Sequence, residues 1–92
     1  MAEVIARLEP GARAVYDSPL GLCACTVDHV RGQDVVVDFD EEPTALHWSG
    51  MVKNPWSGRT NESVPLRYLV PRQAIKRGKY GPRIGAYRWE RA

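Results

Sequence analysis

The chain has 92 residues, 43% of them hydrophobic and 26% charged, with a formal net charge of +2. That composition describes one ordinary globular domain and excludes two separate cores or a helix spanning a bilayer, which needs roughly 20 apolar residues in a row. Met1-Ala2-Glu3 lacks the positive start and apolar stretch of a secretory leader, so a cytoplasmic protein with no membrane partner is expected.

In chain order, Val4, Ile5 and Leu8 stand at one-turn spacing, which predicts a short N-terminal helix over Ala2 to Glu9, ended by Pro10-Gly11. Ala12 to Tyr16 reads as a strand, and Asp17-Ser18-Pro19-Leu20-Gly21 is hairpin turn chemistry. Across Leu22 to Val30, Cys23, Cys25 and Val27 alternate with Ala24, Thr26 and Asp28, the period of a half-buried strand. One residue between the cysteines suits neither a zinc knuckle nor a redox pair, so both are expected as free thiols in the core. After the turn Arg31-Gly32-Gln33, Asp34 to Asp40 is the clearest strand, with Val35, Val37 and Phe39 on its apolar face.

From 41 to 62 the periodicity fades, and Trp-Ser-Gly occurs at both Trp48 and Trp56. This stretch is either one long loop or an extra hairpin with His47 to Val52 as a strand and Lys53-Asn54-Pro55 at its tip. Ser63 to Val70 reads as a further strand, placed at an edge or bulge by Pro65. Pro71 opens a short helical turn through Ala74 and Ile75 to Lys76-Arg77, stopped by Gly78. Beyond Gly81-Pro82, Ile84 to Trp89 alternates as a final strand or docked tail, with Tyr87 and Trp89 on one side.

Short strands joined by tight turns and closed by a one-turn helix predict a mostly β fold, a small five-stranded antiparallel barrel in a single domain over residues 1–92. Gly11, Ala14 and Tyr16, then Gly21, Ala24 and Val27, then Val35-Val36-Val37 with Phe39 resemble the first three strands of SH3-like barrels of the Tudor and KOW type. On that resemblance, Val64-Pro65-Leu66 to Pro71 is the barrel-closing segment. It also implies a partner-binding surface of aromatics, Tyr16 and Phe39 with Trp48 or Trp56 from the insertion, although Cys23 or Ala24 falls where another ring would stand. Ser63 to Tyr68 is faintly similar to the small plasmid-borne dihydrofolate reductases. Their Val-Gln-Ile-Tyr motif is not reproduced, so a self-assembling barrel enzyme ranks third among the readings.

Charge is unevenly spread. Residues 1–71 hold six cationic side chains against ten acids, a balance of −4, and the C-terminal segment 72–92 holds seven against one, +6. That segment interleaves cations with rings: Arg72, Lys76, Arg77, Lys79, Tyr80, Arg83, Tyr87, Arg88 and Trp89. Cations neutralise phosphates and rings stack on bases, so a bacterial-type nucleic-acid-associated or regulatory binding module is the leading expectation. A protein adaptor with Trp48 and Trp56 at its interface is the alternative, and a homodimer suits it because a domain this small buries only about 60% of its unfolded surface. The acidic run Asp38, Asp40, Glu41 and Glu42 reads as a solvated strand end, or as the internal partner of the basic segment. With no nucleophile elbow or phosphate loop, and with His29 and His47 isolated, neither catalysis, cofactor nor metal is expected.

Overall fold

The computed structural model describes residues 3–41, 44–47, 50–53, 56–79 and 81–91, with 44–47 and 50–53 described by their backbone. Eleven strands are described, and the chain is mostly β as expected. β2 (Arg13–Ser18) and β3 (Gly21–Arg31) form a hairpin, with Ser18 paired to Gly21 across the two-residue turn Pro19-Leu20. The Ser18 hydroxyl donates to the Gly21 carbonyl at 2.7 Å and accepts from the Leu20 amide at 3.2 Å. Gly21 itself has φ +124°, open to glycine and strained for any side chain. β4 (Asp34–Phe39) returns along β3 with a register shift between Val27 and His29. β7 (Glu62–Pro65) pairs β4, and β8 (Leu69–Pro71) crosses back to pair the other edge of β2.

These five strands lie in the order β8-β2-β3-β4-β7, all antiparallel. Among the described residues β7 and β8 do not pair, so the expected closed barrel is corrected to an open sheet. The physical reason lies in 63–70, which is not one strand. Its alternation is interrupted by a 3₁₀ turn at Leu66–Tyr68, which carries the chain from the β4 edge to the β2 edge. Pro65 sits at the end of β7, an edge strand whose missing amide leaves no ladder bond unmade.

The insertion is a hairpin. β5 (Thr44–His47) and β6 (Gly50–Lys53) pair antiparallel, and β5 joins the sheet where Leu46 opposes Leu22 of β3. The expected continuous strand His47 to Val52 is therefore split, with Trp48 and Ser49 between its halves outside the described residues. The expected tip Lys53-Asn54-Pro55 is not the turn of this pair, since Lys53 ends β6 opposite Thr44; Asn54 and Pro55 lie outside the described residues.

The N-terminal helix is also corrected. Val4 to Leu8 is a strand, β1, paired in parallel with β11 (Tyr87–Arg91). The same five residues satisfy a period of two, with Val4 and Ala6 half-buried, Leu8 buried, and Ile5 and Arg7 exposed. Two β-branched residues in succession favour the extended form once a partner is at hand. After β8 the expected helical turn is a single 3₁₀ turn, Arg72–Ala74; residues 75–78 leave it as β9 (Ile75–Gly78), hairpinned to β10 (Gly81–Ile84). The predicted final strand 84–89 is broken at Gly85-Ala86, between β10 and β11.

The core follows the alternation read from β3 and β4. Cys23, Cys25, Val35 and Val37 have no exposed surface, Val27 is 2% exposed and Phe39 4%. Leu8 from β1, Ala14 from β2, Val64 from β7 and Leu69 from β8 complete this cluster, with Trp89 of β11 packed against it. Both cysteines are free thiols, as their spacing suggested.

Candidate functional site

The β9–β10 hairpin gathers four of the cations singled out in the sequence. Lys76, Arg77 and Arg83 are exposed on its strands and Lys79 is exposed at its turn, while Tyr80 lies outside the described residues. The register sets Arg83 directly opposite Lys76 and Pro82 opposite Arg77. Successive residues of a strand face opposite ways, so Lys76 and Arg83 share one face of the ribbon and Arg77 occupies the other. Like charges directly opposite one another disfavour strand pairing, and residues 75–84 contain no acid.

Two glycines accommodate the long side chains. A Cβ on Gly78 would stand 2.6 Å from Cδ of Arg83, so the aliphatic stem of Arg83 lies across Gly78 toward the hairpin turn. A Cβ on Gly85 would stand 3.3 Å from Cε of Lys76, whose stem therefore leans toward the hairpin base. The two cations splay apart along the ribbon, which lowers their mutual repulsion and spreads positive charge along its length.

The other predicted nucleic-acid residues go elsewhere. Arg72 folds inward from its 3₁₀ turn. Its Nη2 donates to the carbonyls of Cys25 (2.9 Å) and Ala14 (3.3 Å) and to the Asp40 carboxylate (3.1 Å). Arg13 approaches the same carboxylate at 3.8 Å and the Thr26 hydroxyl donates to it at 3.4 Å. Trp89 donates its indole N–H to the Leu69 carbonyl at 2.8 Å, spending its polar edge inside the protein. Tyr87 is half-buried, and burial, then the charge of Asp17, raises its phenol above the usual value. Arg88 is exposed but pairs with Glu90 at 3.5 Å and with Glu3 at 4.0 Å.

The residues of the alternative partner surface converge in part. The rings of Tyr16, Phe39 and Trp56 meet with centroids 5.9 to 6.1 Å apart, Tyr16 edge-on to both others and Phe39 stacked on Trp56. The expectation that Trp48 joins them lies outside the described residues. Phe39 is buried and the rings pack on one another, so the cluster caps the core beside β2 and β4. His29 sits exposed on β3 with Nδ1 2.6 Å from the Asp28 carboxylate. Among the described residues no three His, Cys, Asp or Glu side chains cluster as a metal site would require, and no helix is long and apolar enough to cross a membrane.

Sequence reasoning missed the Arg72–Asp40 bond as a specific pair, although the acidic run was read as a candidate partner for the basic segment. It also missed the β1–β11 pair, for which the alternation in Val4 to Leu8 was the available signal. Compared with known proteins, the chain matches no family model, no curated protein and no solved structure.

Proposed function

We propose that this chain is a non-enzymatic binding module that grips nucleic acid through the phosphates, using the β9–β10 hairpin as its contact element. The observation that carries the reading is the cross-strand pairing of Lys76 with Arg83 in a ribbon that also bears Arg77 and Lys79 and holds no acid of its own. Several cations carried on one short ribbon offer neighbouring phosphates several contacts at once. Trp89 spends its indole N–H inside the protein and Tyr87 is half-buried, so two of the three rings that would stack on unpaired bases are partly withdrawn, which favours phosphate-led contact over base stacking. The order β8-β2-β3-β4-β7, with a 3₁₀ turn before the strand that returns to β2, supports kinship with SH3-like domains of the Tudor and KOW type in strand order, without the closure.

The test is a titration with fluorescent oligonucleotides at two salt concentrations. Binding should weaken steeply with salt, and replacing Arg77, Lys79 and Arg83 with Gln should weaken it for every sequence, flattening the logarithmic salt slope by about 0.7 to 0.9 per lost contact. Wild-type protein without oligonucleotide affinity at low salt, or a triple variant that binds unchanged, overturns the reading. The protein-adaptor reading would then take its place, resting on Tyr16 and Trp56, the half-buried members of the ring cluster.

A further inference from the structure

β1 and β11 form a two-stranded parallel sheet of their own. Parallel strands are ordinarily found inside larger sheets covered on both faces, and two strands alone are marginal in water. Among the described residues β1 is bonded to β11 and to no other strand. The Val4 amide donates to the Ala86 carbonyl at 3.0 Å, so Val4, Ala6 and Leu8 turn their amides and carbonyls toward β11. By the alternation of a strand, Glu3, Ile5 and Arg7 turn theirs to the opposite edge. Among the described residues no strand pairs that edge, and Ile5 and Arg7 also line a groove of about 280 Å³ that runs between β1 and Arg13 and Gln73. Natural edge strands are usually blunted by proline, a bulge or charged side chains; β1 has neither proline nor bulge, and its one charge is Arg7. At its centre stands Ile5, 54% exposed, the most exposed of the large hydrophobic side chains described.

The sequence of this edge is complementary to itself. Laid antiparallel about a two-fold axis through Ile5, one copy sets Ile5 against Ile5, Glu3 against Arg7 and Arg7 against Glu3. These are the three residues whose backbone groups face the open edge, so the register that matches the side chains also forms a hydrogen-bonded ladder. The neighbouring registers fail. An axis through Ala6 opposes Ile5 to Arg7 and Glu3 to Glu9, and one through Val4 opposes Ile5 to Glu3. The present partners of the charges are weak ones to exchange: Arg7 with Glu9 at 3.5 Å and Arg88 with Glu3 at 4.0 Å, each side chain at least 45% exposed. We infer that the β1 edge is the seam of a symmetric dimer, joining the two short parallel sheets of two copies into one four-stranded sheet β11-β1-β1-β11. This is a different surface from the tryptophan-centred interface expected from the sequence, and it does not depend on the nucleic-acid reading.

The test uses the full chain, sedimentation velocity over a concentration series, and charge exchange. Wild type should show a concentration-dependent species of twice the monomer mass. Glu3→Arg and Arg7→Glu should each weaken self-association about tenfold or more, because each sets like charges opposite at both ends of the seam. An equimolar mixture of the two variants should restore the dimer, since positions 3 and 7 are then both arginine in one copy and both glutamate in the other. Restoration on mixing also shows that both variants are folded. In hydrogen exchange, the Ile5 and Arg7 amides should gain protection as wild-type concentration rises. A wild type that stays monomeric at millimolar concentration overturns the inference, as does a dimer indifferent to Ile5→Lys and to both charge variants.

Discussion

Arg72 is where the basic C-terminal segment is turned to a structural use, and Arg72→Ala measures how much the fold depends on it. Its Nη2 makes three donations, one to a carboxylate and two to strand carbonyls of β2 and β3, from a side chain 28% exposed. A hydrogen bond with a charged partner contributes roughly 1.5–3 kcal/mol when well enclosed, and partial exposure lowers each toward the surface range. The Arg72 Nε is buried without a partner among the described residues, which offsets part of the gain. The expected loss on Arg72→Ala is about 2–3 kcal/mol, a large share of a margin that for domains of this kind is roughly 5–15 kcal/mol. Urea unfolding followed by tryptophan fluorescence reads it directly. Arg72→Lys should recover part of the loss, because an ammonium keeps the charge for Asp40, but the shorter side chain does not place its nitrogen where Nη2 lies between the carboxylate and the two carbonyls. A double-mutant cycle with Asp40→Asn should return a coupling of about 1 kcal/mol. Oligonucleotide binding by Arg72→Ala, measured where the variant remains folded, should keep the wild-type salt slope. Stability within about 0.5 kcal/mol of wild type, joined to a salt slope lowered by nearly one unit, would refute this reasoning and return Arg72 to the phosphate-contacting surface.

Phe39→Ala should cost about 3–5 kcal/mol, since the ring is 4% exposed and carries both Tyr16 and Trp56; a denaturation midpoint close to wild type would contradict that packing. Burial pushes the Cys25 thiol from 9.0 up to about 12, against the pull of Arg72, and raises Cys23 as well. A raised thiol pKa stabilises the fold fully below pH 9 and progressively less above it, so melts between pH 9 and 12 should lose about 1.4 kcal/mol per pH unit to Cys25. Cys25→Ala should remove most of that dependence, and native alkylation of both thiols at neutral pH should be slow. Gly78→Ala would press a methyl group onto Arg83 and the Gly81 carbonyl, displacing the guanidinium without removing a charge. Oligonucleotide affinity should fall severalfold while the main sheet melts as before, and unchanged affinity would exclude Arg83 as a contact.

What the sequence by itself determined is what neighbours along the chain decide. In β3 and β4 the apolar residues alternate strictly, and a strand turns alternate side chains to one face whatever its partner, so the burial of Cys23, Cys25, Val27, Val35, Val37 and Phe39 was readable in advance. The β2–β3 turn was equally local, written in Ser18-Pro19-Leu20-Gly21. Tertiary structure decided the rest, at sites where two local readings were close in energy. Val4 to Leu8 fits a helical turn and a strand alike, and the hydrogen-bonding edge of β11, from the other end of the chain, selects the strand. The alternation of Ser63 to Val70 gives no sign of the 3₁₀ turn at Leu66–Tyr68, because that turn is imposed by the need to leave β4 and reach β2. The +6 balance after residue 71 counts charges without directions. Arg72 turns inward to Ala14, 58 residues away, because its turn is fixed beside the carbonyls of two paired strands, whereas Arg77 and Arg83 stay in water on a hairpin. Local sterics fix the pleat and its period, but a parallel pair or a guanidinium bridging two strands forms only after the chain has closed long loops, so its energy is set by partners that local sequence does not specify.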